Sequence, residues 1–279
     1  MPSADSDFSG QVAVVTGAGS GIGRSTALLL GRLGATVHAA DVDEQGVRAV
    51  VAEIEAAGGR GTANVTDVSD PASVEALADR VFAAEAAVDV LHNNAGVGHA
   101  GPVDEITLDE WKRLLGVNLM GVIHGIHFFV PRMLRQGRPA HVVNTASMAG
   151  LVPVAEMGPY STSKHAVVGL SESLNAELAT RGVHVSAVCP GFVKTSIVAD
   201  ARLDGEHAER RDQIQRFYER FECSPDLVAE AVVDAVRRKK LIHTVPRHHV
   251  VLNWALRRIS PWAAQPLARL SIRAVSRRG

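Results

Sequence analysis

Short, nearly unbroken apolar runs alternate along this chain with longer segments whose apolar positions recur at helical spacing. Gln11-Val-Ala-Val-Val-Thr16 is the first such run, β-branched and without polar alternation, and it predicts a buried strand. The same pattern predicts strands near 11–16, 36–41, 61–65, 88–92, 139–145, 183–189 and 241–245, with helices near 21–33, 43–57, 71–85, 107–135, 158–181 and 225–238. Ser69-Asp-Pro-Ala-Ser73 and Ser224-Pro-Asp226 have the form of helix starts, an N-cap candidate followed by Pro near the first helical position. Alternation of strand and helix implies an α/β fold, a doubly wound parallel sheet of about seven strands with helices on both faces. No linker or repeat marks a second large domain. Residues 1–246 are therefore expected as one domain, and residues 247–279 as a basic, amphipathic helical extension.

Composition is compatible with that architecture. A chain of 279 residues with 46% apolar and 4% aromatic content can bury the core of one α/β domain. Two cysteines, Cys189 and Cys223, offer no disulfide framework and point to a reducing compartment; Cys189, just before Pro190, has the position of a packing residue. No Cys/His spacing suggests a metal site. The N-terminal Met1-Pro-Ser-Ala-Asp-Ser-Asp-Phe8 is polar and lacks an apolar signal core, and no run of about eighteen apolar residues occurs, so the expected location is cytoplasmic with no membrane span.

Charge changes the picture at the C-terminus. From Arg237 onward there are eleven Lys/Arg and no Asp/Glu, which leaves 18 basic against 30 acidic residues in the preceding 236. Arg269, Arg273 and Arg277 recur every four residues opposite Leu267, Leu270 and Ala274, while Val251, Leu252, Trp254, Ala255 and Ile259 surround Arg257 and Arg258. Such a helix can dock on the acidic body of its own or a neighbouring subunit, or make peripheral contact with an anionic membrane. Nucleic acid is not expected, since no recognition motif accompanies the charge. A second amphipathic segment, Ile214, Phe217, Tyr218 and Phe221 at i, i+3, i+4 and i+7, lies within 196–224 and can either pack on the domain or cover a site.

The candidate chemistry sits at both ends of the strand–helix pattern. Gly17-Ala-Gly-Ser-Gly-Ile-Gly23 joins the first strand to the first helix, the context of a dinucleotide-binding turn, where glycines admit the pyrophosphate to the backbone and a helix N-terminus offers free N–H groups. Its spacing is Thr-Gly-x-x-x-Gly-x-Gly rather than G-x-G-x-x-G, with Ile22 at the last position. Asp41 ends the second apolar run, twenty residues after Gly21; a carboxylate there accepts hydrogen bonds from ribose hydroxyls and repels a 2′-phosphate, and neither Ser20 nor Val42 is basic, so NAD is favoured over NADP. Tyr160 and Lys164 are four residues apart on a predicted helix and point into the same space. An ammonium beside a phenol is expected to lower the phenol's pKa toward the range useful for general acid–base catalysis.

These features, with Asp67-Val68, Asn93-Asn-Ala-Gly96, Asn118 in Val117-Asn-Leu119, Ser147 in Asn144-Thr-Ala-Ser147 and Pro190-Gly191, make the chain similar to the short-chain dehydrogenases/reductases of the compact single-domain branch, from about Gln11 to about Val245. The resemblance implies a Rossmann-like sheet of strand order 3-2-1-4-5-6-7. It also implies roles. Gly17, Ser20, Gly21 and Ile22 would hold the pyrophosphate, Asp41 the adenosine ribose, and Asp67 and Val68 would border the adenine. Asn94, Ala95 and Gly96 would pass beside the cofactor ribose; Val193 and Thr195, after the Pro190-Gly191 turn, would meet the carboxamide. Tyr160 would be the acid/base, Lys164 would bind the nicotinamide ribose and lower the Tyr160 pKa, Ser147 would hold the substrate oxygen, and Asn118 would hold a water linking Lys164 to solvent. Residues 196–224 would form a substrate lid.

The implied activity is NAD(P)-dependent interconversion of a secondary alcohol and a ketone. The apolar residues near the site, Leu151, Val152, Val154, Met157 and Phe192, suggest an apolar substrate. The rival class is a non-catalytic dinucleotide-binding sensor or scaffold on the same fold. The resemblance further implies a homo-oligomer, tetramer or dimer, through the helices near 107–135 and 158–181. His92, His99, His124 and His127 receive no role, and His99 is expected in an exposed loop.

Overall fold

The computed structural model describes residues 8–195, 202–203 and 223–260. Its centre is a seven-stranded, all-parallel sheet of β1 (Val12–Thr16), β2 (Thr36–Asp41), β3 (Arg60–Val65), β4 (Val90–Asn93), β6 (Ala140–Thr145), β7 (Val183–Pro190) and β9 (Ile242–Val245), in the order β3-β2-β1-β4-β6-β7-β9. Two short strands, β5 (His99–Ala100) and β8 (Arg202–Leu203), pair beside it. The pattern-derived strands are all present, and the fold is the α/β, Rossmann-like one. β5 and β8, two residues each, are too short for any periodicity to register.

Successive strand residues face opposite ways, so both faces of β1 need apolar cover. Ala13 and Val15 meet α1 (Gly21–Arg32) and α2 (Glu44–Ala56) through Leu30, Val47 and Ile54. Val12 and Val14 meet α3 (Pro71–Ala84) and α5 (Gly121–Arg135) through Leu77, Phe129 and Met133. α6 (Gly158–Leu178) lies over β6 and β7, and α7 (Pro225–Arg238) covers the other face of those strands through Val228 and Val232. Asp70 and Ser224 cap α3 and α7 by accepting from Ala72 N and Asp226 N, with Pro in the first turn of each helix.

The helix expected over 107–135 is α4 (Leu108–Leu115) followed by a π-turn at Gly116–Met120 and then α5. By length and composition Leu108–Arg135 could cross a membrane, which a count of consecutive apolar residues does not register; here α5 instead buries Phe129, Val130 and Met133 on the sheet. α8 (Arg247–Ile259) follows β9. The expected amphipathic helix at 214–221 and the basic repeat beyond Ser260 lie outside the described residues.

The chain winds outward from β1 to β3 and then returns to build β4, β6, β7 and β9 on the other side. This reversal between β1 and β4 opens a crevice at the carboxyl ends of the strands. A buried polar chain fixes the elements beside it. Asn93 Nδ2 donates to Asn144 Oδ1 (2.9 Å), Asn144 Nδ2 to Ser171 Oγ (3.0 Å), and Ser171 Oγ to Val167 O (2.7 Å), joining β4, β6 and α6. α5 approaches this chain through Gly125, where a Cβ would stand 2.2 Å from Asn93 Oδ1. Gly125→Ala should therefore destabilise the fold by about 1–3 kcal/mol through overpacking, read from denaturant unfolding; an unchanged midpoint would mean that α5 is not seated on Asn93 in this way.

Candidate active site

β1 ends at Thr16, and the chain turns through Gly17 (φ 65°) and Gly21 (φ 51°) into α1. A side chain at Gly17 would strike Ala95 Cα at 2.7 Å, and one at Gly23 would meet Gly17 O at 2.0 Å, so only glycine lets the helix press on the loop and the loop on β4's carboxyl end. Ser20 is the N-cap of α1 but its side chain makes no cap bond, leaving first-turn N–H groups of α1 for another acceptor. Asp41, at the end of β2, accepts from Gly19 N (2.8 Å) and Asp43 N (3.0 Å), which aims its carboxylate along the rim of the glycine loop.

Asp67 and Val68 follow β3. The Asp67 carboxylate accepts from Ser69 N and Ser69 Oγ and stays exposed, whereas Val68 is buried against Gly121 and its carbonyl lies 2.9 Å from His124 Nδ1. Asn94, after β4, is bound on every polar edge: its N–H donates to Thr16 Oγ1 (2.9 Å), its Nδ2 to Thr16 O (3.0 Å) and Gly17 O (3.3 Å), and its Oδ1 accepts from Thr145 Oγ1 (3.2 Å). Ala95 N also donates to Thr16 Oγ1, at 3.2 Å. Gly96 borders both Lys164 and Asn118: a Cβ there would be 3.6 Å from Lys164 Nζ and 3.3 Å from Asn118 Oδ1.

Ser147 follows β6 and caps the short 3₁₀ turn Met148–Gly150, accepting from Ala149 N at 3.1 Å. Tyr160 stands in the first turn of α6, beside Ser147. Lys164 is only 2% exposed; its Nζ lies 5.8 Å from the Tyr160 ring centroid and donates to Thr145 O at 2.8 Å. Asn118, in the π-turn, pairs with Val97 on both sides: its Oδ1 accepts from Val97 N (2.8 Å) and its Nδ2 donates to Val97 O (3.0 Å) and to Ser163 Oγ (3.4 Å). With its side chain thus committed, only the Asn118 main chain remains for a water.

The electrostatics differ from the expectation drawn from spacing. Burial pushes the Tyr160 phenol above its ordinary value, and the neighbouring Ser147 hydroxyl only partly opposes this. Burial also pulls Lys164 down to about 8, opposed by the neighbouring Cys189. The ammonium points at the Thr145 carbonyl rather than at the phenol, so loss of water dominates for both groups and Lys164 is not what sets the Tyr160 value. Cys189 itself is pushed to about 12 by burial and stays a thiol, in keeping with a packing residue.

On the far wall, Pro190 ends β7 and Gly191 N donates to Val245 O (2.8 Å). Val193 is buried, and Thr195 lies against Gly21, its Cγ2 3.0 Å from where a Cβ would stand. Val193 bridges to Cys223, so the two ends of the intervening segment leave the body side by side. β8, inside that segment, pairs with β5 just after Gly96, and Arg202 forms an ion pair with Glu110. His99 is corrected here. It is 1% exposed, with Nδ1 3.4 Å from Glu110, a carboxylate that also takes Arg113 and Arg202.

Three residues of the site went unassigned by sequence: Thr16, Thr145 and His92. His92 Nε2 is 2.8 Å from Thr145 Oγ1; since that hydroxyl donates to Asn94, Nε2 must be the donor to it, and burial holds the imidazole neutral, down at about 3. A polar residue closing each apolar strand run was the available signal.

A family model for short chain dehydrogenases matches residues 11–206. The chain is 40% identical over 275 residues to the Mycobacterium tuberculosis protein named "Probable oxidoreductase EphD"; the match takes in 95% of this chain and 46% of that protein, so the chain spans about half the length of this curated relative. It is 38% identical over 194 residues to the cyclohexanol dehydrogenase of an Acinetobacter species, covering 69% of this chain and 77% of the other. In three dimensions it is similar to a short chain dehydrogenase/reductase of Burkholderia phymatum crystallised in complex with NAD, with TM-score 0.86, 37% identity, and coverage of 92% and 96%.

Tyr160 and Tyr218 are the two tyrosines of the chain, so an ultraviolet titration of wild type minus Tyr160→Phe isolates the site phenol. In the protein alone it should titrate above 10; a midpoint well below that would show that Lys164, not burial, governs it.

Proposed function

The chain belongs to the short-chain dehydrogenase family, and we propose that it interconverts a secondary alcohol and a ketone on an apolar substrate, with NAD as cofactor. The observation that carries this reading is one corner in which Tyr160 stands beside the buried Ser147 and Lys164, with the Lys164 ammonium 5.8 Å from the Tyr160 ring centroid.

The residues present fit a dinucleotide. A Cβ at Gly17 would strike Ala95, one at Gly19 would crowd Asp41 and one at Gly21 would crowd Thr195, so this turn stays bare backbone at the start of α1, where Ser20 and Ile22 complete the loop that would hold the pyrophosphate. Asp41 would take the adenosine ribose, Asp67 with the Val68 main chain would border the adenine, and Asn94, Ala95 and Gly96 would line the path beyond. Pro190 and Gly191 would turn Val193 and Thr195 toward the carboxamide. A 2′-phosphate would face the Asp41 carboxylate, and the positions that would carry a basic partner for it, Ser20 and Val42, are neutral. When bound, the cofactor supplies the acceptor or donor of hydride.

The chain's own groups do the rest. Tyr160 takes the hydroxyl proton at its phenolate oxygen during oxidation and returns it during reduction. Ser147 holds the substrate oxygen, with most effect where negative charge develops. Lys164, anchored by the Thr145 carbonyl, holds positive charge beside Gly96 and near the phenol. Asn118 fixes the Val97 segment against α6, and its main chain can carry the proton link toward solvent. Leu151 and Val152 are buried and Val154, Met157 and Phe192 half-buried, a wall suited to an apolar substrate.

Parallel fluorescence titrations with NADH and NADPH, together with turnover of apolar secondary alcohols including cyclohexanol, test this reading. NADH should bind at least about tenfold tighter, roughly 1.4 kcal/mol, Asp41→Ala should remove the difference, and at least one alcohol should be oxidised with NAD. Tighter NADPH binding would overturn the cofactor assignment. Binding of neither nucleotide would overturn the enzyme reading.

A further inference from the structure

The family match ends at residue 206, yet α8, well beyond it, reaches back to the site. We infer that Arg257 of α8 is a positioning residue that locks the segment following Ser147 onto the helix carrying Tyr160 and Lys164. This deepens the oxidoreductase reading above and rests on it.

The contacts are specific. Arg257 Nη1 donates to Leu151 O at 2.5 Å and lies 2.6 Å from His165 Nε2. A guanidinium carries only donors, so His165 Nε2 must accept, and its proton must sit on Nδ1, which is 2.8 Å from Ser161 O. One guanidinium thus joins two pieces of chain. Leu151 follows the 3₁₀ turn that Ser147 caps; His165 adjoins Lys164 and is bonded back to the turn that holds Tyr160. α8 is itself seated. Trp254 packs into the cluster of Ala146, Leu151, Val167, Val168 and Cys189, and Arg258 stands 5.0 Å from the Trp254 ring centroid.

The fit between the joined pieces is tight enough for the clamp to matter. A Cβ at Gly150 would stand 2.5 Å from Lys164 O, so the turn after Ser147 lies directly on the main chain of α6. Farther along, Glu156 takes a left-handed φ of 61° and its carbonyl accepts from Gly101 N at 2.8 Å, holding the other end of the same segment. Between these anchors run Leu151, Val152 and Val154, with Met157 just beyond Glu156, the proposed substrate wall. Releasing Arg257 frees the end of that wall next to Ser147 while leaving the glycine loop and Asp41 untouched.

The test compares full-length wild type, Arg257→Ala and Arg257→Lys by amide hydrogen exchange and by steady-state kinetics on the alcohol with the highest kcat/KM. Arg257→Ala should speed exchange across 149–157 and lower kcat/KM roughly 10- to 100-fold, mainly through KM, with the NADH Kd within about twofold of wild type. Arg257→Lys should recover only part, because an ammonium lacks the guanidinium's planar fork of donors. Unchanged exchange in 149–157 overturns the inference whether or not the protein is active. Faster exchange with unchanged kcat/KM overturns the positioning role, and so does loss of NADH binding, which would mean general damage. No wild-type turnover on any alcohol would instead overturn the oxidoreductase reading, and the positioning role of Arg257 with it.

Discussion

Thr145 is the knot on which the site depends. Its carbonyl accepts the Lys164 ammonium, its hydroxyl receives a hydrogen bond from His92 and gives one to Asn94, and Asn94 in turn holds Thr16 and Gly17. One residue at the end of β6 therefore ties α6 to β4, and through β4 to the glycine loop after β1. Removing one member of such a network is costly, because a buried polar group that loses its partner costs about 1–3 kcal/mol. Fixing Thr145 fixes the separation between the place where a dinucleotide can lie and the place where a proton can be moved.

Burial around this knot decides the electrostatics. It disfavours phenolate at Tyr160 and ammonium at Lys164 alike, so neither charge is comfortable in the protein alone. The same loss of water makes any charge that forms there respond strongly to fixed neighbours. An oxygen that gains negative charge beside Ser147 and Lys164 meets donors already in place, with little solvent to reorganise. The clamp by Arg257 and the pairing of Val193 with Cys223 keep the two walls of that space in register from outside.

Much of this was legible in the chain itself. Buried parallel strands leave nearly continuous apolar runs, and the glycine loop, Tyr160, Lys164 and Ser147 stood out through their order and spacing taken together with the family resemblance. The rest depends on three-dimensional contact. The π-turn at Asn118 leaves the helical apolar period unbroken, so 107–135 looked like one helix. His99 looked exposed because its cover comes from two distant segments, α4 with Glu110 and β8, whose Arg202 holds the same carboxylate. The phenol's pKa followed desolvation, which spacing does not encode. The basic C-terminus looked uniform in composition, but Arg257 and Arg258 serve separate partners, one the Leu151 carbonyl and His165, the other Trp254.

In the proposed reaction Tyr160 moves the proton and other residues hold the cofactor. The most direct measurement is alcohol-dependent formation of reduced nicotinamide by wild type and Tyr160→Phe, beside NADH binding by both. The account predicts turnover lost by at least about 100-fold in the variant while NADH binding is kept. Turnover within about tenfold of wild type, with binding intact, would contradict it and return the Tyr160–Lys164 pair to an ordinary buried helix face.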